Sequence, residues 1–312
     1  YAGYVPTEIF SRNDFMPIEE HPYAFPLQFK NYFWFELRQP DESEQQGIEP
    51  IEYELSLTSR QWNSMGDATQ KSIRALLHEY IQKNRWFRGK AKRIKSVTLV
   101  DTIPLNGGEL NSFIVIIDTQ YLEGKNEHYV VPLSITFGED AHELSSKRPE
   151  AAISTVTVDG REGLLYDGSY NQEVRDTIMR MIVNRTKVKH KKGELAGIPG
   201  RKMNRKIKKS ELPLASKVLG AEQSNTSILY DNRFFFKLYR GPEEGKNVEL
   251  EIIKALTDNE TSAFTNYPKF SGALEYRPQK GEPVSLGILV DFIPNEGNAW
   301  EFTQDAVERY FE

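Results

Sequence analysis

The sequence predicts an α+β protein with antiparallel sheets and few helices. Runs of β-branched and aromatic residues alternate with short turn signals, as they do in antiparallel sheets. Apolar residues recur at helical spacing near residues 67–84, 171–182 and 244–258. The 312 residues suffice for about two domains, and 38% hydrophobic with 27% charged residues is ordinary globular usage.

Residues 1–39 are rich in aromatic residues and proline, which favours short antiparallel strands joined by turns. The aromatic cluster at residues 32–35 could stack on a sugar, or it could face the interior of a β domain, since both leave the same pattern. Residues 40–50 are acidic and too polar to pack, so we interpret them as a linker.

The sequence pattern of residues 51–192 predicts a compact α+β cap domain. Asp67 can cap a helix that runs toward Asn84 with an apolar stripe, and a second helix begins at Asn171. A sheet lies between the two helices. Its predicted strands are residues 94–103, 113–120, 129–137 and 152–158, with turn signals at 106–108, 123–126 and 138–140.

The run Arg85-Trp86-Phe87 follows the first helix of this cap. The two aromatic side chains are interpreted as anchors that fix how the helix meets the sheet, with Arg85 near the negative end of the helix. The alternative is that they face a sugar-binding cleft.

Two basic runs, residues 187–192 and 201–209, raise the possibility of a nucleic-acid partner. The net charge of −5, the pI of about 5.7 and the absence of aromatic residues between the lysines argue against it. We therefore predict no nucleic-acid binding, and interpret these runs as an edge strand or as a solvated linker that spans residues 193–209.

Lys237 lies inside the apolar run Phe-Phe-Phe-Lys-Leu-Tyr. An ammonium group there loses hydration, at a cost of several kcal/mol unless an anion or a wet cleft receives it. A polar loop one strand earlier offers hydroxyl and backbone donors of the kind that cover phosphates. The loop residues are Ser224, Asn225, Thr226 and Ser227.

An amphipathic helix is predicted from Glu244 to about Asp258, with Glu249 and Glu251 within reach of its apolar face. Loop, strand lysine and helix glutamate, in this order, are the phosphate-binding parts of a kinase-like amino-terminal lobe. The helical phase places Glu249 closer than Glu251 to the centre of the apolar face.

The stretch from Val218 to Glu251 resembles the maltokinases, relatives of the aminoglycoside phosphotransferases with a protein-kinase-like fold. The run Arg-Trp-Phe-Arg-Gly-Lys that begins at Arg85 resembles a signature of the maltokinase amino-terminal cap. The runs Gly-Ala-Leu-Glu-Tyr at 272–276 and Asp-Phe-Ile-Pro-Asn at 291–295, with 299–301, resemble the family's path into the hinge between lobes.

Residues 1–39 are similar instead to the last strands of trehalose synthase, which some bacteria make fused to maltokinase. The resemblance therefore implies a piece of a fusion protein, with a synthase end, a cap, a kinase-like amino-terminal lobe at residues 210–294 and a hinge at 295–312. The sequence contains no His-Gly-Asp or Asp-Phe-Gly run, so the catalytic base and the Mg²⁺ ligands are expected in a carboxy-terminal lobe outside it.

For the whole enzyme, the resemblance implies transfer of the γ-phosphate of ATP to maltose, giving maltose 1-phosphate for α-glucan synthesis. Lys237 would hold the α and β phosphates and Ser224 to Ser227 would cover them. The family pattern assigns Glu251 as the partner of Lys237, with Glu249 as second choice. The residues expected to bind adenine through their backbone are Asp291, Phe292 and Ile293.

Three other functions stay open: a different small-molecule kinase, such as an aminoglycoside or choline kinase, a non-catalytic scaffold, and a carbohydrate-binding module. Zero cysteines and five scattered histidines argue against a structural metal. No apolar run approaches the roughly 20 residues of a membrane span, and no signal peptide is visible, so we expect a cytoplasmic protein. The expected partners are ATP, maltose and a trehalose synthase domain in cis, and a homo-oligomer is left open as an alternative.

Overall fold

The computed structural model describes residues 1, 4–9, 18, 34–38, 55–105, 109–219, 224–245, 247–259, 266–295, 297 and 299–311. The chain divides into two compact units, one of Tyr1–Thr102 with Gly108–Asp167 and the other of Ile103–Gly107 with Gly168–Glu312. The acidic linker predicted at residues 40–50 lies outside the described residues.

Near the amino terminus, strand β1 (Val5–Glu8) pairs antiparallel with β2 (Phe35–Arg38). Short antiparallel strands are what the sequence predicts for this segment. Trp34, beside β2, is 60% exposed, while the other aromatic residues at 32 and 33 lie outside the described residues. The two interpretations of this cluster, a sugar platform or an inward-facing layer, both remain predictions.

The first unit contains a six-stranded sheet in the order β3-β7-β8-β6-β5-β4, in which β3 runs parallel to β7. The pairs β5–β6, β6–β8 and β7–β8 are antiparallel, as predicted. The elements are β3 (Leu55–Leu57), α1 (Ser59–Ser64), α2 (Asp67–Lys83), β4 (Ile94–Leu105), β5 (Ser112–Tyr121), β6 (Glu127–Phe137), α3 (Gly138–Lys147), β7 (Ala152–Val158) and β8 (Arg161–Asp167).

Helix α2 confirms the predicted amphipathic helix. Ile73, Leu77 and Ile81 recur at intervals of four residues, and all three are fully buried in one core with the sheet. Burial of each such side chain contributes about 1.5–3 kcal/mol, which explains why the helix stays on the sheet. The expected cap is shifted by one residue, because Gly66 occupies the N-cap position and Asp67 is the first helical residue.

Trp86 and Phe87 are buried in the core of the first unit, and both pack against the ring of Tyr129. The backbone N–H of Arg88 donates to the Tyr129 hydroxyl at 3.2 Å. A Cβ atom on Gly89 would collide with the side chains of Tyr121 and Phe87. The interpretation of the aromatic pair as structural anchors is therefore confirmed, and the glycine of the motif is explained by close packing.

The same region holds a partly buried polar network. The hydroxyls of Tyr121 and Tyr129 donate to Oε2 of Glu127, and Lys92 donates to Oε1 at 2.6 Å. Burial, followed by the hydrogen bond to Glu127, raises the pKa of Tyr129 to about 12. Burial opposes ionisation of Glu127, but the hydrogen bonds from Lys92, Tyr129 and Tyr121 outweigh it and lower the pKa of this carboxyl.

The second unit contains a seven-stranded antiparallel sheet in the order β11-β12-β13-β15-β14-β10-β9. The elements are α4 (Gln172–Asn184), β9 (Lys187–Lys189), β10 (Gly193–Pro199), α5 (Met203–Lys206), β11 (Ser216–Leu219), β12 (Asn225–Tyr230), β13 (Phe234–Tyr239), α6 (Val248–Asp258), β14 (Phe270–Pro278), β15 (Val284–Asp291) and α7 (Ala299–Phe311).

Two expectations about the basic region are tested by this sheet. Strand β9 lies at the sheet edge, so the interpretation of residues 187–192 as an edge strand is confirmed over Lys187–Lys189. The linker expected at 193–209 is wrong in its first part, because Gly193–Pro199 is an interior strand. The second predicted helix, α4, likewise belongs to the second unit and not to the cap.

Helices α4 and α6 lie on opposite faces of this sheet. A Cβ atom on Gly197 would collide with the backbone at Met181, and one on Gly272 would collide with Ile182, so α4 approaches the sheet at these two glycines. Ala273, which points to the other face, shares a core with Leu250 of α6. An antiparallel sheet with a helix packed beside its central strands is the predicted kinase-like lobe.

Candidate functional site

Lys237 occupies the middle of β13, opposite Ser227 on β12 and Ile288 on β15. Because side chains alternate along a strand, Lys237 shares its face with Phe235 and Tyr239, and this is the face on which α6 packs. The lysine side chain is 23% exposed, so its ammonium is partly withdrawn from water. The anomaly noted in the sequence is therefore real: a cation lies within an apolar sheet face.

The carboxylate that receives this cation belongs to Glu249. The Lys237 ammonium donates to both carboxylate oxygens, at 3.2 and 3.3 Å, and the Tyr239 hydroxyl donates to Oε2 at 3.1 Å. The choice of Glu251 as the partner of Lys237 is wrong in this structure, and the second choice, Glu249, takes that position. Glu251 instead lines a separate cavity beside α6.

The start of α6 explains this register. The side chain of Asn247 accepts the N–H of Leu250 at 3.1 Å and makes Val248 the first helical residue, four positions later than predicted. Glu249 then shares a helix face with Ile253, which packs on the sheet, because residues four apart lie on one face. A residue two positions along, such as Glu251, is rotated by about 200° from Glu249 and so does not point toward Lys237.

The apolar stripe predicted for this helix is only partly correct. Val248 and Ile252, two of the apolar residues that give this helix its predicted amphipathic pattern, are 68% and 54% exposed. Leu250 and Ile253 make the contact with the sheet. Glu249 also lies in the first turn, where the partial positive charge of the helix end favours a carboxylate.

The residues of the predicted phosphate-covering loop lie in different environments. Ser224 precedes β12 and is exposed, and Asn225 donates to its hydroxyl at 3.0 Å. Thr226 points to the sheet face opposite Lys237, where its hydroxyl accepts a hydrogen bond from the buried Arg240 at 2.8 Å. The Thr226 hydroxyl therefore points away from Lys237, and it is not placed to cover phosphates that this lysine binds.

Ser227 points to the same face as Lys237, since directly opposed residues of an antiparallel pair share a face. Its residue is 2% exposed, and its hydroxyl has no hydrogen-bond partner in the described part of the chain. Buried polar groups are nearly always paired, so an orphan hydroxyl beside a lysine is a feature that a ligand can explain.

At the end of β15, the structure distinguishes the three residues expected to bind adenine. The N–H groups of Asp291 and Phe292 donate to backbone carbonyls, those of Lys269 and Arg233, both at 2.9 Å. In the described part of the chain the N–H of Ile293 donates to no backbone carbonyl. Of the three, Ile293 is therefore the residue whose backbone N–H could donate a hydrogen bond to an adenine base.

Two further arrangements at this site have no counterpart in the sequence analysis. Tyr239 holds Glu249 and was noted only as an apolar neighbour of Lys237, although its spacing of two residues on a strand already places it on the same face. The Asp291 side chain accepts hydrogen bonds from Lys206, at 2.5 and 2.7 Å, and from Ser271. This ion pair joins residues 85 apart in sequence, which no local pattern reveals.

Two kinds of feature are absent from the described residues, a cluster of metal ligands and a membrane-spanning helix. In that part of the chain, no group of three or more His, Asp or Glu side chains is placed to hold a metal ion. Nor does any helix within the described ranges have the length and apolar character to cross a bilayer.

Part of this chain matches a known protein-family domain. Residues 80–170 match the maltokinase N-terminal cap domain. The matched segment includes the Arg-Trp-Phe-Arg-Gly-Lys run and most of the six-stranded sheet. The resemblance stated for the cap is thereby confirmed at the level of this domain.

Among solved structures, the chain is similar to a glucosamine kinase in complex with glucosamine, ADP and inorganic phosphate, at 13% identity and a TM-score of 0.41. It is also similar to crystal form A of a glucosamine kinase, at 13% identity and a TM-score of 0.39. In both cases the match covers 74% of this chain and 44% of the other. The chain thus spans less than half the length of these structures.

Proposed function

We propose that the second unit binds the phosphates of ATP through Lys237 and that the chain is part of an ATP-dependent maltokinase. The observation that carries the proposal is the ion pair between Lys237 of β13 and Glu249 of α6, beside the Ser227 hydroxyl, which has no hydrogen-bond partner in the described part of the chain. The match of residues 80–170 to the maltokinase cap supports maltose as the acceptor.

Each group at the site has a part in this proposal. Lys237 donates to the α and β phosphates, and Glu249 keeps its ammonium directed along the sheet face. Ser227 donates its hydroxyl to a phosphate oxygen, and the N–H of Ile293 donates to the adenine ring. ATP, when bound, supplies the phosphoryl group that is transferred to the sugar hydroxyl. These are the groups on this sheet face that we assign to the nucleotide.

The proposal places the general base and the Mg²⁺ ligands in a carboxy-terminal lobe, as in the family that the sequence resembles. The 312-residue chain by itself is then expected to bind ATP weakly and to transfer no phosphate, because half of the cleft is supplied by that lobe. We also propose a trehalose synthase domain in cis, a cytoplasmic location and the possibility of a homo-oligomer.

The proposal is tested in two steps. ATP binding to the 312-residue chain is measured by calorimetry for wild type, Lys237→Met and the matched control Lys254→Met, which changes a lysine of α6. The polypeptide that also carries the carboxy-terminal lobe is then assayed with ATP, Mg²⁺ and one acceptor at a time: maltose, an aminoglycoside or choline.

We expect ATP affinity to fall in Lys237→Met alone, and maltose to be the best acceptor in the longer polypeptide. Equal ATP affinity in Lys237→Met and wild type would remove the nucleotide assignment. Preferred transfer to an aminoglycoside or choline would keep the kinase and refute maltose. Trehalose formation from maltose by the native polypeptide, measured without ATP, checks the fusion.

A further inference from the structure

A ring of contacts fixes the end of β15, directly before the Ile293 N–H that we assign to adenine. Strand β15 ends at Asp291. The Lys206 ammonium of α5 donates to both carboxylate oxygens of Asp291, at 2.5 and 2.7 Å, and the Ser271 hydroxyl of β14 donates to Oδ1 at 2.5 Å. Three different elements therefore meet at one carboxylate.

The backbone completes this ring. The Arg233 guanidinium donates to the backbone carbonyl of Lys206, and it also donates to Oε1 of Glu211 at 2.8 Å. The carbonyl of Arg233 in turn accepts the N–H of Phe292 at 2.9 Å. Starting from Asp291, the contacts run through Lys206 and Arg233 and return to Phe292, the next residue in the chain. Residues 291 and 292 are thus held through a side chain and through the backbone.

Stability alone does not account for the ion pair in this ring. The side chains of Lys206 and Asp291 are 24% and 33% exposed. Withdrawing two charges from water offsets most of the attraction between them, so such a pair adds little to the free energy of unfolding. The buried Ser271 hydroxyl also accepts a hydrogen bond from Lys206, at 2.8 Å. What these charge-assisted hydrogen bonds supply is a defined position for the carboxylate and for the backbone that carries it.

Ile293 is the first residue beyond the ring. In the described part of the chain its N–H donates to no backbone carbonyl, and the residue is 48% exposed. A backbone donor binds a flat base best when its position is set before the base arrives, because ordering a segment on binding lowers affinity. The ring provides this order in advance.

We infer that Lys206 and Asp291 are positioning residues that orient the Ile293 N–H for the base of the nucleotide. The inference rests on the proposed function and adds a selectivity to it. The ring contributes to binding through the base, whereas the phosphates are bound by Lys237. Lys206, which belongs to the basic run at 201–209, thereby acts on the nucleotide without touching it.

The test is calorimetric titration of the 312-residue chain with ATP and with inorganic tripolyphosphate, which has the phosphates but no base. We expect Lys206→Met to weaken ATP binding about tenfold and Asp291→Asn about fivefold, since the amide keeps one acceptor oxygen. Tripolyphosphate affinity should stay within about twofold of wild type in both. Lys237→Met should weaken both ligands. The matched control Lys209→Met, at an exposed lysine of the same run, should change neither.

Two further variants separate positioning from structural support. If Lys206 and Asp291 act as one unit, the double variant Lys206→Met/Asp291→Asn should bind ATP no more weakly than Lys206→Met does. Lys206→Arg keeps a charged donor and should recover most of the ATP affinity. Circular dichroism and thermal unfolding verify that each variant folds, and Asp291→Asn, which preserves the side-chain size, decides the question if Lys206→Met does not fold.

The amide of Ile293 gives a direct spectroscopic readout. In a chain labelled with [15N]isoleucine, its signal is assigned by its loss in Ile293→Val. The signal should shift with ATP and not with tripolyphosphate, and the shift at saturation should be smaller in Asp291→Asn.

Each result bears on one of the two claims. Equal losses of ATP and tripolyphosphate affinity in the Lys206 and Asp291 variants, or a lower melting temperature with unchanged ATP affinity, overturn the inference and leave the proposed function in place. Unchanged affinity for both ligands in Lys237→Met refutes the proposed function. An Ile293 signal that does not respond to ATP in the wild-type chain refutes both.

Discussion

The ion pair at the centre of the second unit leads to a ranked prediction. Lys237→Met, Glu249→Gln and Glu251→Gln change one charge each within the same lobe. We expect ATP affinity to fall most in Lys237→Met, less in Glu249→Gln and least in Glu251→Gln. The reason is geometric: the Lys237 ammonium contacts Glu249, and Glu251 lines a cavity elsewhere along α6.

The magnitudes follow from exposure. With side chains 23% and 40% exposed, the pair is screened by water, and its loss should cost about 0.5–1 kcal/mol of folding stability. A charged contact to a phosphate in a partly dry site is worth about 3 kcal/mol, so Lys237→Met should weaken ATP binding about 100-fold. Glu249→Gln keeps an acceptor for Lys237 and Tyr239, so we expect a loss of about fivefold, near 1 kcal/mol.

The assay pairs ATP titration with thermal unfolding on the same samples. Glu251→Gln is the matched control, because it makes the same chemical change two residues along the helix. The reasoning is refuted if Glu251→Gln weakens ATP binding more than Glu249→Gln does. It is refuted as well if Lys237→Met lowers ATP affinity only in proportion to a large drop in melting temperature.

Three further predictions concern single groups. Ser227→Ala removes an orphan buried hydroxyl, so chemical denaturation should show unchanged or slightly higher stability, while calorimetry should show several-fold weaker ATP binding; equal ATP affinity contradicts a ligand role. Gly89→Ala forces a methyl group into Tyr121 and should destabilise the first unit by about 1–3 kcal/mol in urea unfolding, a result that a wild-type midpoint would disprove. Because burial raises the pKa of Tyr129 from 10.0 to about 12, its stabilisation is complete below pH 10 and is lost as pH rises through 12. Burial raises the pKa of Tyr121 and Tyr230 as well, so Tyr129→Phe should reduce the alkaline loss of stability without abolishing it, and an unchanged pH profile would show that Tyr129 contributes nothing to it.

Sequence reasoning located the strands and helices whose pattern is strong. The buried stripe of α2 and the β-branched runs of β4 to β7 were predicted within a few residues of their observed bounds. Helix α3 was missed because Gly138, with φ of +59°, and the acidic residues after it have the composition of a turn, and no residue of α3 is buried to give an apolar stripe.

Strand β10 shows why other elements could not be predicted from the sequence. Gly193, Gly197 and Pro199 suggest a linker, yet Gly197 is needed because the backbone of α4 passes directly over it. That reason lies in another element and cannot be read locally. At the candidate site the helical phase correctly favoured Glu249, whereas the family pattern favoured Glu251; the Asn247 cap, which sets where the helix begins, decides between them.

The two helices pack on the seven-stranded sheet at different depths, so they are not held equally firmly. Helix α4 packs its backbone against Gly197 and the Ile182 side chain against Gly272, so the helix and the sheet are held rigidly together. Helix α6 has no fully buried residue and rests on the other face through Leu250 and Ile253. Glu249 is carried by this helix and Lys237 by the sheet, so any displacement of α6 would change the distance between the two charges, and the hydrogen bonds at Thr257 and Tyr267 near the helix end would limit it.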